Sequence, residues 1–508
     1  MQLTKQNLKN ISSKSGVIIP DEKIFSLPEK VLQFGTGVLL RGLPDYFIDK
    51  ANRQGTFNGR VVVVKSTSNG GTDEFGKQDR LYTLCVRGIE DAKKVEETII
   101  NSSISRVISA NGNWSAILEC AYNPEMQIII SNTTEVGITL TEDDIRLFPP
   151  HSFSGKLLAF LYERYKAFKG SKESGMVIIP TELITDNGKK LRSIVIELAK
   201  MNKLGDSFID WVKTENHFCN SLVDRIVPGK LPEKDRAGTE KKLGYTDDLM
   251  IMAESFRLWA IESDNEKVNQ ILSFSKVDKG VVIAPDIEIF RELKLRLLNG
   301  THSFSCGLSF LAGFKTVKEA MENLQMSSFI YDLAIQEIAM AMSDEKITYT
   351  QACDFAYKVM DRFRNPYLDH PWINITVQYS SKMKLRNIPL LLKHYEKSNQ
   401  PPELMALGFA AYLLFMKCSK NEKGHYIGCA NGEDYVIQDD YASWFAEKWD
   451  GQDVGSAGNL ILSDKNFWGE DLSRLNGFAD LVKNNLRSLI NEGVMASIHS
   501  LQLNKTTV

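Results

Sequence analysis

Along the first half of the chain two hydrophobic patterns alternate. Short runs of continuous apolar, largely β-branched character occur at 31–34 (VLQF), 60–67 (RVVVVKST), 126–134 (MQIIISNTT) and 175–183 (GMVIIPTEL). Runs without polar alternation predict strands buried on both faces. Between them lie segments of helical period, at 38–53 (VLLRGLPDYFIDKANR), 151–170 and 188–203. Strand, glycine turn, helix and strand follow one another within 40 residues, the spacing of a βαβ unit. The pattern predicts a parallel sheet with helices on both faces.

Beyond Pro285 strand signals fade and long helical periods take over, at 316–342, 349–364, 387–398 and 403–417. The stretch 418–440 is polar and rich in Gly and Asn, and reads as a surface excursion between helices. The chain therefore divides into an α/β Rossmann-like N-terminal domain, 1–284, and a mostly α-helical C-terminal domain, 285–508. A length of 508 residues is in any case too long for a single core.

Two segments carry candidate chemistry. In the first, Gln33, Phe34, Gly35, Thr36, Gly37, Val38, Leu39, Leu40 and Arg41 run from a strand through a glycine turn into a helix. Gly35 and Gly37 match the first two glycines of G-x-G-x-x-G, where backbone turns tightly and approaches a pyrophosphate. Leu40 replaces the third, which predicts looser helix–strand packing or a displaced helix. The second strand ends on Lys65, where an acid would mark NAD. Lys65 either favours a 2′-phosphate or flanks the adenosine in solvent. In the second segment, 294–303 (KLRLLNGTHS), a lysine, an amide and an imidazole share an apolar stretch. At 100° per residue Lys294, Asn299 and His302 span an arc of roughly 140° on a helix. Beside a nicotinamide, Lys294 can exchange a proton with an alcohol or ketone, Asn299 can donate to the developing oxyanion, and His302 can hold a neighbouring hydroxyl.

Composition narrows the remaining classes. The net charge of −3 and the lack of a Lys/Arg run give no footprint for nucleic acid. Seven scattered cysteines form no C-x-x-C pair, and the histidines form no H-E-x-x-H or Cys/His cluster, so no metal site is expected. The N-terminus lacks the apolar core of a signal peptide, and no run is long enough to span a bilayer, so a cytoplasmic protein is expected.

Several segments together resemble the mannitol dehydrogenase family of polyol-specific long-chain dehydrogenases. They are LQFGTGVLLRG (32–42), Gln78-Asp79-x-Leu81-Tyr82-Thr83, NPEMQIIISNTTEVGI (123–138), IIPTELITDNG (178–188), SLVDRIV (221–227), KLRLLNGTH (294–302) and RFRNPYLDH (362–370). The resemblance implies NAD(H) as cofactor, no metal, and a sugar alcohol or sugar acid as substrate. It implies Lys294 as acid/base, Asn299 as oxyanion donor and His302 as substrate contact. It further implies cofactor contacts from Asn132, Thr133 and Glu135, and substrate contacts from Asp224 and Lys382. Asn374 stands where the family often has an arginine. Leu183 replaces a second oxyanion asparagine of the mannitol and fructuronate enzymes, and this P-x-E-L-I form resembles the branch interconverting tagaturonate and altronate. Glu182 or Lys294 itself is then expected to compensate. A uronate carboxylate also needs a cation, for which Lys382, Arg364 and Arg41 are candidates. A protein that only sensed the dinucleotide would have no use for Lys294, Asn299 and His302 together.

Overall fold

A computed structural model describes residues 1–66, 73–133 and 137–506. The chain forms two compact units, one of residues 1–88 and 94–287, the other of 89–93 and 288–508.

The first unit is built on six strands: β1 (Glu29–Phe34), β2 (Arg60–Lys65), β3 (Ile104–Ser109), β4 (Ile128–Ser131), β5 (Val177–Pro180) and β6 (His217–Phe218). They form one parallel sheet in the order β3-β2-β1-β4-β5-β6. The strand order reverses between β1 and β4, the topological switch point at which such sheets bind nucleotides. Because side chains alternate across a strand, Val31, Val61, Val63, Ile128 and Ile130 enter one apolar cluster with Tyr46, Phe47 and Trp259. Leu32, Phe34, Val62, Val64 and Ile129 enter another with Leu157, Phe160 and Leu191. The continuous apolar runs are thus explained: both faces of the sheet are core.

The helix after the glycine turn differs from its periodicity. It is broken into α1 (Val38–Gly42) and α2 (Pro44–Arg53), with Leu43 at φ −131°, ψ −77°. Pro44 has no N–H and its ring clashes with the preceding turn, so a new helix starts there with proline in its first position.

The sequence also concealed strands outside the main sheet. Val17–Ile18, Lys93–Asn101, Tyr82–Glu90 and Ile251–Glu254 form a four-stranded sheet, and Ser221–Asp224, Leu258–Glu262 and Val281–Ala284 a three-stranded one. Tyr82–Glu90 and Lys93–Asn101 are joined by Asp91 and Ala92, both at positive φ. That is the left-handed pair a tight hairpin turn needs, made without its usual glycine.

In the second unit the apolar helix Glu403–Phe415 is buried almost throughout and packs against Thr301–Leu311 and Phe478–Asn491. Approach is close at Gly408, where a Cβ would lie 2.6 Å from the Phe304 carbonyl oxygen. The polar stretch after this helix is not irregular. Ser419–Lys420, Tyr426–Ala430 and Glu433–Val436 form an antiparallel three-stranded sheet. Its second turn is Asn431-Gly432, both at positive φ, a hairpin signal that polarity masked. Among the described residues no helix is long and apolar enough to cross a membrane.

Candidate active site

The glycine turn lies at the carboxyl end of β1. Gly35 adopts φ +130°, and a Cβ there would meet Leu40 Cδ1 at 2.8 Å and the Asn132 carbonyl oxygen at 3.0 Å. Only glycine fits. Leu40 does not loosen the packing as its position in the motif suggested; it is fully buried and fills the space over Gly35. Gly37, by contrast, is exposed and has nothing within 4 Å of a Cβ position. The N–H groups of Thr36, Gly37 and Val38 make no hydrogen bond to the described residues. An open approach with three unspent donors fits a pyrophosphate.

Beneath the turn, Gln33 and Asp45 are fully buried, and Gln33 Nε2 donates to the Gly35 carbonyl (3.4 Å) and to Asp45 Oδ2 (3.3 Å). Burial pushes the Asp45 carboxyl up to about 7. Phe34 is wholly interior, with its ring edge-on to Phe153, while Val38 and Leu39 pack on the core. Arg41 turns inward: Nη1 donates to the Leu249 carbonyl at 2.8 Å and its guanidinium lies 5.3 Å from the Tyr82 ring centroid. It is therefore not a free cation for a substrate carboxylate. Lys65 ends β2 and is 8 % exposed.

The ends of β4 and β5 form one network. Glu182 accepts from Ser131 Oγ (3.1 Å), from Thr133 N–H (2.9 Å) and from Thr133 Oγ1 (2.9 Å), and Asn132 Nδ2 donates to the Thr181 carbonyl (3.2 Å) and Oγ1 (3.0 Å). Burial raises the Glu182 carboxyl above the usual range. Its hydrogen bonds tie two strand ends together, with each carboxyl oxygen accepting at least one. Leu183 beside it is 61 % exposed. Glu135 lies outside the described residues. Asp224 ends its strand 6 % exposed. Its neighbour Arg225 donates to the carbonyls of Glu254 (2.9 Å) and Gly42 (2.6 Å).

In the second unit the segment Lys294–Gly300 is not α-helical but π-helical, between Glu288–Leu293 and Thr301–Leu311. A π turn closes i→i+5, and Lys294 and Asn299 are five apart. The wide turn brings onto one face two groups that a 3.6-residue period separates by an arc of about 140°. The segment is held by a second π segment, Met383–Asn387. Arg296 Nη1 donates to the carbonyls of Leu385 (2.8 Å) and Arg386 (3.0 Å), and Asn387 Nδ2 donates to the Gly300 carbonyl (3.0 Å). The Asn299 side-chain amide has no hydrogen-bond partner among the described residues.

His302 is 8 % exposed, stacked on Phe363 with ring centroids 4.2 Å apart, and edge-on to His370 and Trp372. Its Nε2 is buried without a partner. Burial, then the charges of His370, Arg362, Arg386 and Lys382, hold the imidazole far below its usual value, so it is neutral. Lys382 Nζ donates to the Ile375 carbonyl at 2.8 Å, and burial lowers its ammonium. Arg364 is exposed; the interior arginine of that segment is Arg362, 7 % exposed. Sequence reading missed Arg362 and Arg386, although Arg386 lies one helical turn beyond Lys382. Among the described residues no group of His, Cys, Asp or Glu is arranged to hold a metal ion.

A doubly wound α/β unit of dinucleotide-binding strand order, joined to a helical unit presenting lysine, amide and imidazole, defines a two-unit dehydrogenase. Residues 29–273 match the mannitol dehydrogenase Rossmann domain and 286–490 the mannitol dehydrogenase C-terminal domain. The chain belongs to the mannitol dehydrogenase family. It is 38 % identical over 461 residues to an altronate oxidoreductase of Bacillus subtilis, covering 90 % of this chain and 91 % of the relative. It is 36 % identical to one of Halalkalibacterium halodurans, covering 94 % of each. Mannitol 2-dehydrogenase of Pseudomonas fluorescens, solved with NAD and D-mannitol, has the same fold, with a TM-score of 0.67, 22 % identity and 99 % of each chain covered. A D-sorbitol dehydrogenase aligns with a TM-score of 0.77 at 20 % identity, over 98 % of this chain and all of the other.

Proposed function

We propose that this protein is an NAD-dependent oxidoreductase that interconverts tagaturonate and altronate. The family membership and the altronate oxidoreductase relatives support the reaction class and the substrate. The observation that supports the site is the π turn, whose i→i+5 spacing spans Lys294 and the unspent Asn299 amide, three residues before His302 with its unpartnered Nε2.

In this reading the first unit binds the dinucleotide, with Thr36, Gly37 and Val38 N–H groups on the pyrophosphate and the β1 and β4 ends beneath the rest. A dinucleotide held there would supply the hydride for the keto carbon, or take one up from the alcohol. As the carbonyl π bond opens, its electron pair collects on oxygen. The Asn299 amide donates a hydrogen bond to that oxygen, and Lys294 Nζ gives it a proton, forming the hydroxyl. In the oxidation Lys294 takes the proton back. Neutral His302 hydrogen-bonds an adjacent hydroxyl through Nε2 and fixes which carbon faces the nicotinamide.

The purified enzyme is expected to oxidise NADH with tagaturonate, and far more slowly with fructuronate, fructose or with NADPH as reductant. Lys294→Ala should lower kcat by at least about 10³-fold, within the usual range for a general acid–base group, while the Kd for NADH stays within about twofold. No activity on tagaturonate, or a Lys294→Ala enzyme that turns over normally, refutes this reading.

A further inference from the structure

If the substrate is a sugar acid, its carboxylate must lie somewhere, and the residues expected to take it do not all qualify. Arg41 is spent on the Leu249 carbonyl in the first unit, and Arg364 is exposed. Asn374, also exposed, stands where the family often has an arginine. One cation unforeseen in the sequence has the necessary properties. Arg386 is on the π segment Met383–Asn387, which Arg296 and Asn387 stitch to the segment bearing Lys294 and Asn299. Its Nη1 donates to Ser303 Oγ at 3.2 Å, the residue next to His302. That is the one hydrogen bond of its side chain among the described residues, and it forms no ion pair there. Four of its five N–H donors remain unspent on a half-buried guanidinium.

Lys382 lies four residues earlier and likewise has no ion pair among the described residues. The acid that adjoins Lys382, Asp439, does not neutralise the pair by contact. Its oxygens accept from the backbone N–H groups of Ser380 (2.7 Å) and Tyr441 (2.9 Å). His370 lies edge-on to His302, and Arg362 is interior. Two half-buried cations held in mutual repulsion cost stability. Burial lowers the hold of both Lys382 and Arg386 on their protons, Arg386 lowers that of Lys382 further, and neither is offset by a contacting carboxylate among the described residues. A planar anion would offset both.

We propose that Arg386, with Lys382 beside it, binds the substrate carboxylate in a forked geometry and so selects a sugar acid over the neutral polyol of the same carbon chain. This rests on the sugar-acid reading above and assigns its carboxylate to a named residue. In tagaturonate the keto group and the carboxylate lie towards opposite ends of the six-carbon chain. An anchor one turn beyond Lys382, on the helix facing Lys294 and His302, holds the far end while the near end meets the acid–base pair. Arginine suits the task better than lysine because its donors form a rigid fork matching a carboxylate.

The test compares the full-length enzyme with Arg386→Leu and Arg386→Lys, using altronate as substrate and altritol, in which the carboxylate is replaced by a hydroxymethyl group, as competitor. Arg386→Leu should lower kcat/KM for altronate by about 10²-fold, carried mainly by KM, as expected for loss of a charge-assisted pair present in ground and transition states alike. The Ki of altritol should stay within about twofold, and Arg386→Lys should fall between. If Arg386→Leu fails to fold, the lysine variant still reads the fork: an intermediate KM supports the anchor and an unchanged KM overturns it. An altritol Ki that rises as much as the altronate KM overturns it too, since the effect is then structural. Turnover of altronate by the unaltered enzyme with no change in Arg386→Leu removes this anchor and leaves the reaction standing. No turnover of altronate by the unaltered enzyme removes both.

Discussion

His302 sits where a proton is costly. Its ring is buried, stacked on Phe363 and surrounded by Arg362, Arg386, Lys382 and His370, all of which disfavour a further positive charge. A neutral imidazole with an unpartnered Nε2 can donate or accept according to its tautomer, as a hydroxyl contact requires. The same environment gives folding a pH dependence. The unfolded chain protonates this histidine near its ordinary value of about 6.5, whereas the folded chain does not until far lower. Below pH 6.5 the unfolded state therefore binds more protons, and the contribution of neutral His302 to stability is lost as pH falls. The stability difference between the protein and His302→Asn should shrink by about 1.4 kcal/mol for each pH unit below 6.5. Urea unfolding at pH 7.5 and 5.5 measures it, and a difference that does not move with pH would show that His302 is solvated. From sequence, residue identities were legible here because lysine, asparagine and histidine are conspicuous in an apolar stretch. Arg386 was not legible, since a charge in SSKMKLR looks like any solvated face until the partner helix is known.

At the scale of elements, the informative feature is the wide turn. The interval from Lys294 to Asn299 was in plain view in the sequence, but a period of 3.6 residues set the two on divergent bearings. Nothing in KLRLLNG announces an i→i+5 turn, because what holds it is tertiary: Arg296 and Asn387 reach across to carbonyls of the facing segments. Local propensity does not contain that information. The broken helix at Leu43-Pro44 is the opposite case, since proline declares the break and only the pull of the surrounding helical pattern hides it. The hairpin at Asn431-Gly432 was likewise legible had its turn been weighed above its polarity. If the wide turn positions the acid–base pair, removing one residue from it should restore ordinary helix and separate the two groups. Deleting Leu295, which is only partly buried, should cut kcat by about 10²-fold or more, as misplacement by an ångström does. Far-ultraviolet circular dichroism should be unchanged. Full activity in the deletion variant would mean that the i→i+5 spacing has no part in catalysis.

Over the whole molecule, the strands of the main sheet were the most legible elements because β-branched residues occupy both faces, so Val61 to Val64 could hardly be anything but interior. The flanking sheets escaped because Lys93–Asn101 (KKVEETIIN) carries its charges in pairs rather than in a two-residue alternation, and its turn has no glycine. The glycine turn joins sequence, fold and ligand at this scale, since its two glycines answer different demands. Gly35 is required by the chain: its φ of +130° and a backbone oxygen 3.0 Å from a Cβ position leave no room for a side chain. Gly35→Ala should destabilise the unliganded protein by roughly 1–3 kcal/mol. Gly37 has an ordinary φ of −62° and open space around it, so the fold does not need it. Gly37→Ala should leave the unliganded melting temperature within about 2 °C while its methyl group obstructs a pyrophosphate lying on the free N–H groups. With NADH at 100 times the Kd of the unaltered protein, binding stabilises the folded state by about 2.7 kcal/mol. A hundredfold weaker variant would retain about 0.4 kcal/mol, nearly abolishing the thermal shift. Melting curves with and without NADH decide the matter: a Gly37→Ala protein that keeps the full shift places the dinucleotide somewhere other than this turn.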